Sequence, residues 1–163
     1  MSGDLDSDAT IALIDKYFGG LKPNPELPKL DLPKEAPITQ PVVKEVLGPD
    51  AESVALAWRF PGVSDKDFEI LQVVSQVLYN GKAGLIDLDL NQQQKVLNSY
   101  GYPMGLADYS ALLLGGLPKQ GQTLEEVKDL LLSEIKKLRA GEFDEKMLEA
   151  NINNFKLGEL QNM

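Results

Sequence analysis

Prolines at 23, 25, 28, 33, 37 and 41 punctuate the segment LKPNPELPKLDLPKEAPITQP. No other feature limits the fold as much. Each proline lacks a backbone donor and fixes φ, so residues 21–41 can form neither a helix nor a central strand. They form an extended connector, with polyproline geometry open to it. It is too long for a turn and divides a first helix from everything that follows. That helix can be capped by Asp6 or Ser7, has Asp8 in its first turn, and carries Ile11, Ile14 and Phe18 on one face. Gly19-Gly20 ends it.

After the connector, PVVKEVLG and ESVALAWRF are expected to be strands separated by Gly48-Pro49-Asp50. The second alternates Val54, Leu56, Trp58 and Phe60 with small or polar residues. Pro61-Gly62 breaks it. Ser64 or Asp65 then caps a helix to about Tyr79 with Phe68, Leu71, Val74, Val77 and Leu78 facing inward. Asn80-Gly81 stops this helix, and a short helix is expected over 84–90. Residues 95–105 and 108–117 read as a second strand pair. Thr123 caps the strongest helix, with Leu124, Val127, Leu131, Ile135 and Leu138 as its stripe, acids at its start and Lys136, Lys137 and Arg139 at its end. Beyond Gly141 a last helix turns Leu148, Ile152 and Phe155 inward. Paired strands separated by helices predict a single α+β domain over 1–163, with a mainly antiparallel sheet and helices packed on one face.

Composition narrows the chemistry. The 163 residues include no histidine and no cysteine. Nucleophilic dyads and triads that use either residue are excluded, as are disulfides. Protein zinc is nearly always held by nitrogen or sulfur, so no zinc site is expected within this chain. The balance of 16 basic against 25 acidic residues, a net charge of −9, argues against nucleic acid. No apolar run approaches the roughly 20 residues of a membrane span. MSGDLDSDAT has neither the basic leader nor the apolar stretch of a signal peptide.

Several constellations resemble sites and fall short. Asp4, Asp6 and Asp8 open like a calcium loop, but Ala9 stands where glycine is needed and Asp15 where a bidentate glutamate belongs. A capped helix with an acidic first turn accounts for them. Gly116 to Thr123 lies between a strand and a helix, as a phosphate loop does, but Gln122 replaces the lysine and Pro118 removes a donor. Asp65/Asp67 and Asp87/Asp89 are paired acids two apart, which on a helix point roughly 200° from each other. Trp58, Tyr79, Tyr100, Tyr102 and Tyr109 can line a binding surface or pack in the core. No catalytic or metal-ligating residue is assigned, and the substrate-binding residues stay unknown.

The opening residues carry a further signal. Gly3, Asp4, Asp6, Ile14, Lys16, Tyr17, Phe18 and Gly19 follow V-x-G-D-x-D…I-x-K-Y-F-G, a pattern of homology units in the pitrilysin/insulinase family of zinc peptidases. ESVALAWRFPGVSDKDFEILQVVSQVL is similar to the family's next strand and acid-capped helix. LEEVKDLLLSEIKKLRAGEFDEKMLEA is similar to its closing helix pair. The order covers nearly the whole chain and resembles the rear, non-metal-binding part of such a unit, as also in mitochondrial processing peptidase.

The resemblance implies a metallohydrolase-like α+β fold and a non-catalytic domain of a zinc metalloendopeptidase that closes a chamber and holds peptide. Zinc would sit in an N-terminal portion of the parent, bound by its inverted His-x-x-Glu-His motif. The implied partners are the remainder of the same polypeptide or a homologous subunit, and a peptide substrate. Gly3-Asp4 falls where the family's preceding strand ends, so the chain is expected to be a piece of a longer protein, with one sheet edge or helix face uncovered. The periplasm or cell envelope of a bacterium is the favoured location, the cytoplasm the alternative. Where family members place a substrate-anchoring Arg and Tyr, this chain has Asn91 and Asn98, so no binding role is carried over to them. The alternative readings are a structural homologue without activity, like respiratory-complex core proteins, and an unrelated soluble binding module.

Overall fold

The computed structural model describes residues 3–28 and 33–161. The chain divides into two compact units, Met1–Val46 and Leu47–Met163. The first unit contains helix α1, Ser7–Phe18. Of the two cap candidates, Asp6 is the cap: its Oδ1 accepts the Ala9 N–H at 3.0 Å. The described parts of the proline-rich segment, 21–28 and 33–41, contain neither helix nor strand, as the missing donors require.

The second unit is a three-stranded antiparallel sheet with helices on one face. Strands β1 (Val54–Pro61), β2 (Asn98–Gly105) and β3 (Tyr109–Leu117) lie in the order β1-β3-β2. β3 takes the centre because ALLLGGL is apolar on both faces and contains no proline, so both its edges can be bonded. The register pairs Leu56 with Leu114 and Trp58 with Leu112 on one face, and Ala57 with Leu113 on the other. Leu112 and Leu114 meet helix α2 (Lys66–Leu78), helix α3 (Leu124–Ala140) and the turn carrying Leu85, Ile86 and Leu90. Asp65 rather than Ser64 caps α2, accepting the Asp67 N–H at 2.9 Å. Thr123 and Glu126 form a reciprocal capping box on α3, and Gly141 closes that helix at φ 72°. The expected short helix at 84–90 is a helical turn whose part Asp87–Asn91 is π-wound.

Gly115 and Gly116 show how tightly the two faces close on β3. A Cβ at Gly115 would overlap the Tyr100 ring, and one at Gly116 would lie 2.5 Å from Val127 of α3. The ring rests on backbone on one side and the helix rests on backbone on the other.

Two expectations are corrected. PVVKEVLG forms no strand: every ladder partner of β1 is on β3, and Pro41 and Pro49 take donors from both ends of the segment. Val46 and Leu47 are 89% and 92% exposed. The last helix, α4 (Glu145–Gln161), does not turn Leu148, Ile152 and Phe155 inward; they remain 37–38% exposed. Among its described residues the buried one is Asn151, one position from Ile152, and the helix packs against α2 rather than over the sheet. No described helix is long and apolar enough to cross a membrane.

Leu131 of α3 is fully buried. Leu131→Ala should therefore cost about 2–5 kcal/mol in urea unfolding. Gly115→Ala, which drives a methyl into the Tyr100 ring, should cost about 1–3 kcal/mol.

Candidate functional site

The sheet's two faces divide the chemistry. Trp58 and Tyr79 pack against the core, so these two candidate binding aromatics are structural. Tyr100 and Tyr102 sit on the opposite face, their rings stacked with centroids 6.2 Å apart and planes at 15°. Register places Met104, Leu113, Ala57 and Ala55 on that face too. Tyr102 and Met104 are 44% and 40% exposed, and the two alanines are also exposed. Arg59 lies over the Tyr109 ring at 4.9 Å and is the sole charged residue in the three strands. The result is a largely uncharged aromatic, methionine and alanine surface on a chain of net charge −9.

Asn91 and Asn98 do not converge on a ligand site. Asn91 accepts the Ser99 N–H and Oγ–H at 2.8 Å each and donates Nδ2–H to the Ser99 carbonyl at 2.8 Å. Its amide is consumed in fastening the π-wound turn to the start of β2. Asn98 is exposed as the first residue of that strand. Of the paired acids, Asp87 and Asp89 diverge. Asp87 is buried and its Oδ2 accepts the backbone N–H of Asn80 and Gly84 at 3.0 Å, while Asp89 points to α3.

The 116–123 loop is stapled shut by its own side chains. Gln122 accepts from the Lys119 N–H and donates to the Lys95 carbonyl, while Lys119 Nζ donates to the Gln94 carbonyl at 2.8 Å. The amides of Thr123 and Glu126 at the helix start are occupied by the capping box. Asp6 caps α1, and among the described residues no three acidic side chains gather as a metal site would require.

Sequence reasoning missed one cluster. Lys137 Nζ lies 2.6 Å from Asp89 Oδ2 and 3.0 Å from Glu134 Oε1, tying α3 to the π-wound turn. The Glu134 side chain is 1% exposed. The available signal was position: Glu134 falls seven after Val127 and three after Leu131, within the apolar stripe, and three before a lysine. Burial pushes its carboxyl above the ordinary glutamate value despite the opposing pull of Lys137. The hydrogen bond from Lys137 holds Asp89 below its ordinary value. The same bond raises Lys137.

These shifts set opposite pH dependences. A raised native carboxyl binds its proton more tightly folded than unfolded, so the Glu134 contribution is fully present at acid pH. It drains away as pH rises through the raised value. Asp89 contributes above the ordinary aspartate range and loses that contribution as pH falls through its lowered value. Glu134→Gln removes the first effect and weakens the second, because Glu134 also helps hold Asp89 down. Urea titrations should therefore show the variant gaining on the wild-type protein as pH rises from about 4 to about 8. Lys137→Met, which strands the buried carboxylate, should cost on the order of 1–3 kcal/mol at neutral pH.

A solved protease from Helicobacter pylori shares the fold, with a TM-score of 0.72 over 98% of this chain at 24% identity. The match spans 40% of that protease's length. No curated protein sequence matches the chain. Residues 1–155 match the family model described as the peptidase M16 inactive domain. The chain belongs to that family, as a non-catalytic domain of an M16 peptidase.

Proposed function

We propose that this domain serves a zinc metalloendopeptidase of the pitrilysin/insulinase type by walling a chamber and holding peptide along the outer sheet face. The observation that carries this reading is that face: stacked Tyr100 and Tyr102 beside Met104, Leu113 and two exposed alanines, with one charged residue in the three strands. Tyrosine supplies a broad contact with few torsions to freeze, and methionine adapts to varied shapes. Such a surface accepts many extended segments and selects few, which suits a chamber wall.

Zinc and the groups that activate water belong, on this reading, to another part of the polypeptide or to a homologous subunit. With neither His nor Cys, this chain supplies surface and shape rather than a reacting group. Asn91, locked onto Ser99, positions β2 and through it the tyrosine pair.

The test is binding of a fluorescent, unstructured, apolar peptide to the 163-residue chain, with Tyr102→Ala as the variant. Loss of the exposed ring should weaken binding by about 0.5–1.5 kcal/mol beyond its area effect. The same protein should take up no stoichiometric zinc and cleave nothing. Peptide affinity unchanged by the substitution, or chelator-sensitive cleavage by pure chain, contradicts the reading.

A further inference from the structure

We propose that Asn80 is a site of spontaneous deamidation by water, at a rate set by opening of the turn that follows helix α2. This lies outside chamber walling and peptide holding, which use the outer sheet face.

The turn and the reactive pair have one origin. Gly81 sits at φ 78°, a left-handed setting that favours glycine. The missing side chain also leaves its nitrogen the least shielded nucleophile that can follow an asparagine. In the reaction the Gly81 nitrogen loses its proton to hydroxide and bonds to Asn80 Cγ. The Cγ–Nδ2 bond breaks, and Nδ2 takes up a proton and leaves as ammonia. Water then opens the cyclic imide at either carbonyl, giving aspartate or isoaspartate. The balance is one water consumed and one ammonia released. No other asparagine in the chain precedes glycine. Asn98 precedes the small Ser99, but the Ser99 N–H is held by Asn91 Oδ1 at 2.8 Å. Asn24 precedes proline, which has no N–H to lose.

In the closed turn the reaction is withheld. Asn80 Nδ2 donates back to the Gln76 carbonyl at 3.1 Å. Its Oδ1 accepts forward from the Lys82 and Ala83 N–H groups at 3.1 and 2.9 Å. Both ends of the amide are thus fixed, and turning Cγ onto the Gly81 nitrogen gives up all three bonds. The backbone is fastened as well, because the Asn80 and Gly84 N–H groups both donate to Asp87 Oδ2 at 3.0 Å. Gln92 Nε2 adds a bond from the π-wound turn to the Lys82 carbonyl at 2.9 Å. Deamidation therefore proceeds from an opened turn, and its rate follows the population of that state. The product closes the turn less well. Aspartate has no amide N–H to give the Gln76 carbonyl, and it brings a second carboxylate beside Asp87.

Peptide mapping by mass spectrometry, on the 163-residue chain aged at mildly alkaline pH, follows each asparagine. Asn80 should convert first, and at least about tenfold more slowly in buffer than in concentrated urea. Gln92→Ala removes one exposed bond outside the reacting pair. It should speed conversion about two- to tenfold with an unchanged circular dichroism spectrum. Asn80→Asp, the product made directly, should speed hydrogen exchange at the Gly84 amide. Equal conversion rates in buffer and urea overturn the proposal. So does earlier conversion of another asparagine in the folded chain, an unchanged rate in folded Gln92→Ala, or unchanged Gly84 exchange in Asn80→Asp.

Discussion

The closeness with which α3 lies on the backbone of β3 underlies the rest of the second unit. Gly116 permits it, and Val127 and Leu131 exploit it, both fully buried against Leu114. With α3 seated, its Lys137 reaches the π-wound turn. That turn in turn holds β2 through Asn91 and Ser99. The chain of dependence runs from a glycine contact, through an ion cluster and an amide clamp, to the position of Tyr100 and Tyr102.

Burial of Glu134 is the expensive link in that chain. A carboxylate removed from water loses hydration that one partly exposed lysine restores only in part, which is why its carboxyl is driven up. What the cluster supplies is geometry. Asp89 and Glu134 converge on a single ammonium group, fixing one angular setting of α3 relative to the turn that supports β2. The outer face inherits that rigidity while containing none of the buried charge.

Much of the architecture was legible in the sequence because local signals and tertiary demands agreed. Thr123 with Glu126, Asp65 before α2, and the unbroken apolar run of β3 each announced the element that formed. The lack of His and Cys, set beside the order of elements, identified the non-catalytic part of the family, which the match over 1–155 bears out. Legibility failed where local pattern needed a partner. Residues 41–48 have strand-like composition, but composition cannot supply the row of donors a strand must meet. On α4, Leu148, Ile152 and Phe155 share a helical face, yet packing against α2 buries Asn151 and leaves that face half open. The outer face was visible only as scattered tyrosines, because which of them stack depends on register, and register follows from β3 taking the centre.

The central claim is that the aromatic face of the sheet, on the side away from α2 and α3, engages peptide. Side-chain NMR shift mapping of the chain during titration with an unstructured apolar peptide tests it most directly. The account predicts perturbations concentrated at Tyr100, Tyr102, Met104 and Leu113, with Leu114 and Leu131 unmoved. Perturbations confined to α3 or α4, with the tyrosine pair silent, would contradict it.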